Sequence, residues 1–316
     1  PVVIDLMSMD YQIDFEDLNS KKSEKTRVLL VTPLSGYSQN MEKIAQWCNE
    51  HNIFLIEDFS QGFSTFWKNQ RAGHFGHASI CSLSLLKSVS TLQGGMLISK
   101  DEDLTNRIRS DISTWKTESR ISLFFLTVKV IVLSLATHPL IFSWTTYVIL
   151  LIFQPANALF SRFQKQNKTV ELRDEMPEKF LRRLTYQQVK LGLEELTKFD
   201  EREGQRAKLG NHLYTELKKR DESIGIPEVL FESSPGFWLF PIFCKNAKQM
   251  QQRLLVEGID TSIMLLSHLP SEPEFQKLGL SAPKSLKTKQ SILFLPLYSQ
   301  LTEKHIGHII RSLDLS

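Results

Sequence analysis

Ser82-Leu83-Ser84-Leu85-Leu86-Lys87 is the stretch whose reading decides the fold, because a β-type run there ends in a hydroxyl and then delivers an amine. Ala78 to Leu83 reads as a strand, and upstream Ile53 to Glu57 reads as another that hands over to Asp58-Phe59-Ser60-Gln61. In open α/β sheets ligands bind beyond the carboxyl ends of strands, so Asp58 and Gln61 stand where a ligand is met. Taken alone, a carboxylate in that place more often caps a turn. Lys87 is flanked by Leu85, Leu86 and Val89, and burial among them favours the neutral, nucleophilic amine. Any one lysine is ordinarily a surface residue. Downstream, Gln93-Gly94-Gly95 permits a backbone geometry and a close approach closed to other residues. Each feature is weak by itself, and their order within one window carries the weight.

Outward from this window, Val2 to Leu6, Arg27 to Thr32 and Gly95 to Ser99 complete a set of candidate strands. Met41 to His51 and Leu104 to Trp115 read as helices, the second with Asp101 as N-cap. Strands alternating with helices give an α/β class with a mostly parallel sheet. Further on, Pro177 to Phe199 and Glu201 to Lys219 read as helices. A strand at Phe237 to Phe243, a helix over Gln249 to Glu257, a strand at Ile292 to Leu295 and a helix from Thr302 to Leu313 then form a smaller α+β domain. Phe237, Trp238, Phe240 and Phe243 read as strand core.

The chain has 316 residues, 41% of them hydrophobic, enough for a substantial core. A net charge of +3, with both signs interspersed, does not favour nucleic acid as a partner. Cys48, Cys81 and Cys244 are odd in number and widely spaced, which fits neither a disulfide framework nor a zinc site and suits a reducing, cytoplasmic compartment. His74 and His77 lie three apart in a glycine-containing loop with no carboxylate cluster, so no metal is expected. Pro1 opens the chain without an initiator Met, and the expectation is that it begins inside a longer protein.

The order and spacing in the central window resemble the DegT/DnrJ/StrS sugar-nucleotide aminotransferases of pyridoxal-phosphate fold type I. That family's motifs read here as Glu57-Asp58-Phe59-Ser60-Gln61, Gly73-His74-Phe75-Gly76-His77, Ser82 to Lys87 and Gln93-Gly94-Gly95. The opening Pro1 to Asp5 and the closing Phe294-Leu-Pro-Leu-Tyr298 and Leu301-Thr-Glu303 are similar as well. The resemblance implies that Lys87 carries pyridoxal 5'-phosphate as a Schiff base and shuttles a proton. It implies that Asp58 pairs with the pyridine nitrogen, Gln61 bonds the phenolic oxygen, Ser60 lies against the ring and Ser82 donates to the phosphate. It further implies an amino donor such as glutamate, a keto sugar nucleotide or related cell-envelope precursor as acceptor, and a homodimer. The pattern also departs from the family: Leu181, Arg182 and Arg183 stand where Asn-Tyr-Arg is common, Gln93 replaces Glu, and the family's N-terminal phosphate turn and stacking aromatic precede the first residue here.

Between Ile121 and Phe163 the composition changes. Lys129 and Arg162 bracket a stretch without formally charged side chains, interrupted at His138-Pro139. Each apolar piece is shorter than the roughly 20 residues of a membrane-crossing helix. The expected organisation is therefore residues 1–120 as the rest of the cofactor-binding domain, 121–163 as a hydrophobic helical hairpin, 164–200 as a linking helix and 201–316 as the small domain. The hairpin is read as a peripheral membrane contact, with a buried dimer contact as the other reading. Two further functions stay open: a non-catalytic, membrane-associated regulator or scaffold, and a pyridoxal-phosphate sugar dehydratase, against which Lys87 argues.

Overall fold

The computed structural model describes residues 1–148, 173–220 and 224–314. Its central sheet has four strands, β1 (Val28–Val31), β2 (Phe54–Asp58), β3 (Ala78–Ser82) and β4 (Gly95–Ser99), in that spatial order. The first three run parallel, with Val28 beside Phe54 and Asp58 beside Ile80. β4 returns antiparallel, placing Gly95 beside Ser82. The carboxyl ends of β2 and β3 therefore lie side by side, and the window singled out from the sequence sits on that edge.

Helix α1 (Phe15–Lys21) precedes the sheet and α2 (Met41–Glu50) joins β1 to β2. Met41, Ile44, Trp47 and Cys48 recur at helical spacing, and all four are buried with Leu29, Val31 and Leu55 in one core cluster. Helix α3 (Glu102–Ser113) starts where its side-chain cap dictates, with Asp101 accepting from the Leu104 amide at 2.9 Å. It is followed by the two-residue strand β5 (Lys116–Thr117) and helix α4 (Arg120–Ala136). Beyond α4 come short helical turns to residue 148. The second half of the expected hairpin, and most of the 164–200 segment's first part, lie outside the described residues.

The chain resumes with β6 (Arg182–Arg183), paired parallel to β5, and with α5 (Tyr186–Thr197) and α6 (Phe199–Lys218). The long helix expected from Pro177 thus begins at Tyr186. Thr185 and Gln188 form a capping box that fixes this start, and the preceding arginines are used in strand pairing instead. The small domain holds α7 (Ala247–Val256), α8 (Pro283–Ser291), α9 (Glu303–Asp314) and an antiparallel pair, β7 (Phe240–Phe243) with β8 (Ile292–Leu295). All eight residues of that pair are buried within the largest cluster, except Pro241, which is buried beside it. Tyr11 and Tyr37 join the same cluster, so the small domain packs directly on the N-terminal half.

One expected strand is absent. Val2 to Leu6 forms only an isolated bridge, Leu6 to Ile13, because Asp5 takes over its hydrogen bonding. The Asp5 carboxylate accepts from the amides of Leu6, Lys284 and Ser285 at 2.8 to 2.9 Å, tying the segment to the start of α8. Side-chain capping of a helix replaces the ladder.

Candidate active site

Two short connections bind the ends of β2 and β3 together. Asp58 Oδ1 accepts from the Ser60 amide at 2.9 Å, and Ser60 Oγ accepts from the Ser82 amide at 2.7 Å. Asp58 thus does cap a turn, and in doing so it aims the Ser60 hydroxyl at β3. Among the described residues no hydrogen bond reaches the second carboxylate oxygen, Oδ2. Next to this edge the Cys81 thiol is pushed up to about 12, first by burial, then by the charge of Asp58, against the opposing charge of Lys87. The buried thiol lies within the electrostatic reach of both groups, one negative and one positive.

Glu57, completely buried, organises the loop opposite. Its Oε2 accepts from the Phe75 amide at 3.2 Å, and burial holds its carboxyl above the usual range while the amides of Gly73, Phe75 and Gly76 pull it down. His77 Nδ1 accepts from the Leu55 amide at 2.9 Å, and its ring stacks on Phe54 at 4.9 Å. His74 meets the Arg71 carbonyl at 3.0 Å. These contacts make both histidines part of the loop's own framework. In the small domain His268 is likewise engaged on both nitrogens, by Ser271 Oγ at 2.6 Å and the Ala282 carbonyl at 2.9 Å.

The Lys87 loop is closed at its base and stapled from two helices. Leu83 donates to Gly94 O at 2.9 Å and Thr91 donates to Leu83 O at 2.9 Å. Gly94 has φ +110°, and a Cβ on it would meet Leu184 Cδ2 at 2.4 Å. From α5, the Gln188 side-chain amide donates to Thr91 O at 3.1 Å. From α6, Arg202 donates to Ser88 O, and Ser88 Oγ donates to Glu203 Oε2 at 3.3 Å. Glu203 and Arg206, 4% and 8% exposed, pair with each other. Ser64 Oγ donates to Glu203 at 2.9 Å, and Arg206 Nε donates to Gly236 O at 3.1 Å. Burial lowers the Arg206 guanidinium, and Glu203 opposes that shift. The residue next to Lys87 is thus held on both its hydroxyl and its carbonyl.

The apolar setting expected for Lys87 is one-sided, since Val89 is 3% exposed and Leu86 is 78% exposed. Lys87 is half-buried, and its Nζ lies 4.4 Å from the centre of the Trp238 ring. Trp238 is the residue that pattern reading misplaced. Phe237, Phe240 and Phe243 are core, but Trp238 is only partly buried and donates from Nε1 to Leu86 O at 3.2 Å. The cause is local: Phe237 has φ +45°, which breaks the strand alternation and turns the next side chain outward. Gly210 of α6 makes room, since a Cβ there would lie 2.4 Å from the Phe237 ring.

A second missed group supports Gln61. Ser35 (φ 58°) and Gly36 (φ 82°) turn the chain after β1, and the Ser35 amide donates to Gln61 Oε1 at 2.8 Å. This bond directs the Gln61 NH2 as a donor. The Leu34-Ser35-Gly36 turn is visible in the sequence, but nothing there points to Gln61. Ser82 Oγ donates to Ser84 Oγ at 3.2 Å, so it is pre-positioned within its own turn. Asp58, Ser60 and Ser82 are therefore linked to one another, Gln61 is held from β1, and Lys87 approaches from the stapled loop.

A profile of the DegT/DnrJ/EryC1/StrS aminotransferase family matches residues 1–116 and 160–314, leaving out the segment that contains α4. GDP-perosamine synthase from Escherichia coli O157:H7 is 30% identical over 107 residues, 34% of this chain and 29% of that protein's length. Lipopolysaccharide biosynthesis protein RfbH from Salmonella typhimurium is 20% identical over 336 aligned positions, covering 99% of this chain and 68% of RfbH. Among solved structures, Helicobacter pylori PseC, an aminotransferase involved in pseudaminic acid biosynthesis, superposes with a TM-score of 0.72 at 17% identity, covering 99% of this chain and 72% of that one. At that identity the likeness shows the fold.

Proposed function

Because this chain belongs to the DegT/DnrJ/EryC1/StrS aminotransferase family, we propose that it is a pyridoxal-phosphate-dependent aminotransferase. It moves an amino group, with glutamate as donor, to a keto sugar nucleotide or a related cell-envelope precursor. The observation that carries this reading is the joined edge of β2 and β3, where Asp58, Ser60 and Ser82 are bonded in series beside the Lys87 loop.

The donor set fits the cofactor's three polar ends. Bound pyridoxal phosphate supplies the electron sink for the bond broken at the substrate carbon. Asp58 keeps the pyridine nitrogen protonated through Oδ2, the oxygen its own turn leaves over. Gln61, with its oxygen taken by Ser35, donates from its amide nitrogen to the phenolic oxygen. Ser60 would lie against the ring, and Ser82 would donate to the phosphate by turning its hydroxyl away from Ser84. Lys87 holds the cofactor and carries the proton at the substrate carbon.

The test is direct. Protein incubated with pyridoxal phosphate develops a visible absorbance band, and borohydride reduction followed by peptide mass spectrometry places the added mass on Lys87. Lys87→Ala shows neither signal, whereas a folded wild-type protein that shows neither sinks the reading.

Two features of the surface belong to the same proposal. Tyr186, Val189, Leu193 and Leu196 of α5 are 44 to 78% exposed and recur at intervals of three and four, a stripe suited to a second copy in a homodimer. The outer face of α4 is the membrane contact, holding a cytoplasmic enzyme at the bilayer surface. Three buried free thiols suit that compartment. Among the described residues no helix is long and apolar enough to cross a membrane.

A further inference from the structure

Helix α4 has two apolar faces that point in opposite directions. Leu123, Leu126 and Val130 are half-buried along one side. Opposite them Ile121, Phe124, Phe125, Ile131, Val132 and Leu135 are exposed, spread over an arc of about 120° at 3.6 residues per turn. Leu140 and Trp144, 72% and 81% exposed, continue the patch beyond the helix end.

The inner face reaches the site. Val130 and Ser134 line a cavity of about 600 Å³ that Lys87 and Trp238 also line. The rest of its wall is mixed, with Ser88, Ser90, Glu195 and Gln300 interspersed with Leu85, Leu86, Leu92 and Leu191 alongside the Tyr298 ring. Hydroxyl and amide groups beside aromatic faces can hydrogen-bond and stack a sugar ring, and the leucines between them cover its apolar C–H edges. One helix therefore presents its inner side to a sugar-sized cavity of mixed lining and an exposed apolar arc on its outer side.

A lipid surface fits the outer face better than a second copy does. A partner helix needs a narrow two-row stripe, of the kind α5 carries, whereas α4 offers a broad arc. Lys116, Arg120, Lys129 and Arg183 are exposed on α4 and the β5–β6 pair at its foot. A two-fold dimer through this face would bring like charges together, while anionic lipid phosphates would neutralise them.

We propose that the amino-group acceptor is membrane-borne: a sugar head group on a lipid carrier, its head entering the cavity beneath α4 while its tail stays in the bilayer. The proposal rests on the Lys87 site and the membrane contact described above, and it narrows the acceptor to an amphiphile. Approach is along the bilayer surface, past Val130.

The test uses the full chain and hydrogen exchange of residues 84–92. Three ligands are compared: phosphatidylglycerol vesicles carrying a polyprenyl-phosphate hexose, the same vesicles without it, and a nucleoside-diphosphate hexose in solution. The expected result is exchange slowed by about tenfold with the loaded vesicles alone. Val130→Arg keeps vesicle co-sedimentation and loses this protection, and Phe124→Ser with Phe125→Ser loses both. Equal protection by the soluble sugar overturns the proposal, as does co-sedimentation in which loaded and empty vesicles act alike. Wild-type protein that fails to sediment removes the membrane contact and this inference together, leaving the Lys87 absorbance test to stand or fall separately.

Discussion

Helices α4 and α6 both border the Lys87 loop, and their burial runs opposite to their composition. Helix α6 is rich in charge, yet Phe199, Glu203, Arg206, Leu209, Gly210, Leu213 and Leu217 are all buried. Helix α4 is almost wholly apolar and has no buried residue. The difference shows that placement follows the pattern of contacts available. The charges of α6 have partners at Ser64, Ser88 and Gly236 that make burial tolerable, while the outer residues of α4 have none within the described chain. A helix whose apolar face finds no interior is explained from outside the molecule.

Breaking the buried side of this comparison gives the largest effect. Arg206→Ala leaves the buried Glu203 with only the more exposed Arg202, 3.5 Å away, as countercharge and is expected to lower stability by about 3 kcal/mol, read by urea denaturation. It should also loosen the loop after Lys87, because Ser88 loses part of its anchor. Gly210→Ala drives a methyl into the Phe237 ring and costs about 1 to 3 kcal/mol. The same denaturation measures it, and pyridoxal-phosphate affinity falls if Trp238 is displaced. Gln188→Ala removes half of the α5 capping box and the bond to Thr91 O, for a loss of about 1 to 2 kcal/mol. Its diagnostic is selective speeding of exchange in residues 88–94. On α4, Phe124→Ser with Phe125→Ser should change stability by no more than about 0.5 kcal/mol, since neither ring is buried. A large loss there would mean that the face packs on the protein after all, and the contrast would dissolve.

Much of the sheet was legible because its signals are local. Four of five expected strands stand within a residue or two, and the Asp101 cap begins α3 as the sequence indicates. The fifth failed at Asp5, whose partners Lys284 and Ser285 are 279 and 280 residues away. The residues proposed for the site stand on the joined β2–β3 edge and the loop beside it. Their supports were not legible: Arg206 looks like any helical arginine until Gly236 O lies beside it, and Trp238 looks like core until the left-handed Phe237 redirects it. Long-range burial and a single unusual dihedral leave no periodic trace. The start of α5 was missed for a different reason, since the Thr185 and Gln188 box was present in the sequence and outweighed by an apolar run that begins earlier.

Gln188 closes the first turn of α5 and, with the same side chain, carries Thr91. Fraying of that helix end and detachment of the lysine loop are therefore a single opening event, with one free energy for both. Anything that grips the Lys87 amine should quiet the tip of a helix several residues beyond it, and a partner bound along α5 should in turn steady the amine. Docking of a second copy along α5, as proposed above, and cofactor retention would then be reciprocal quantities, measurable from either side.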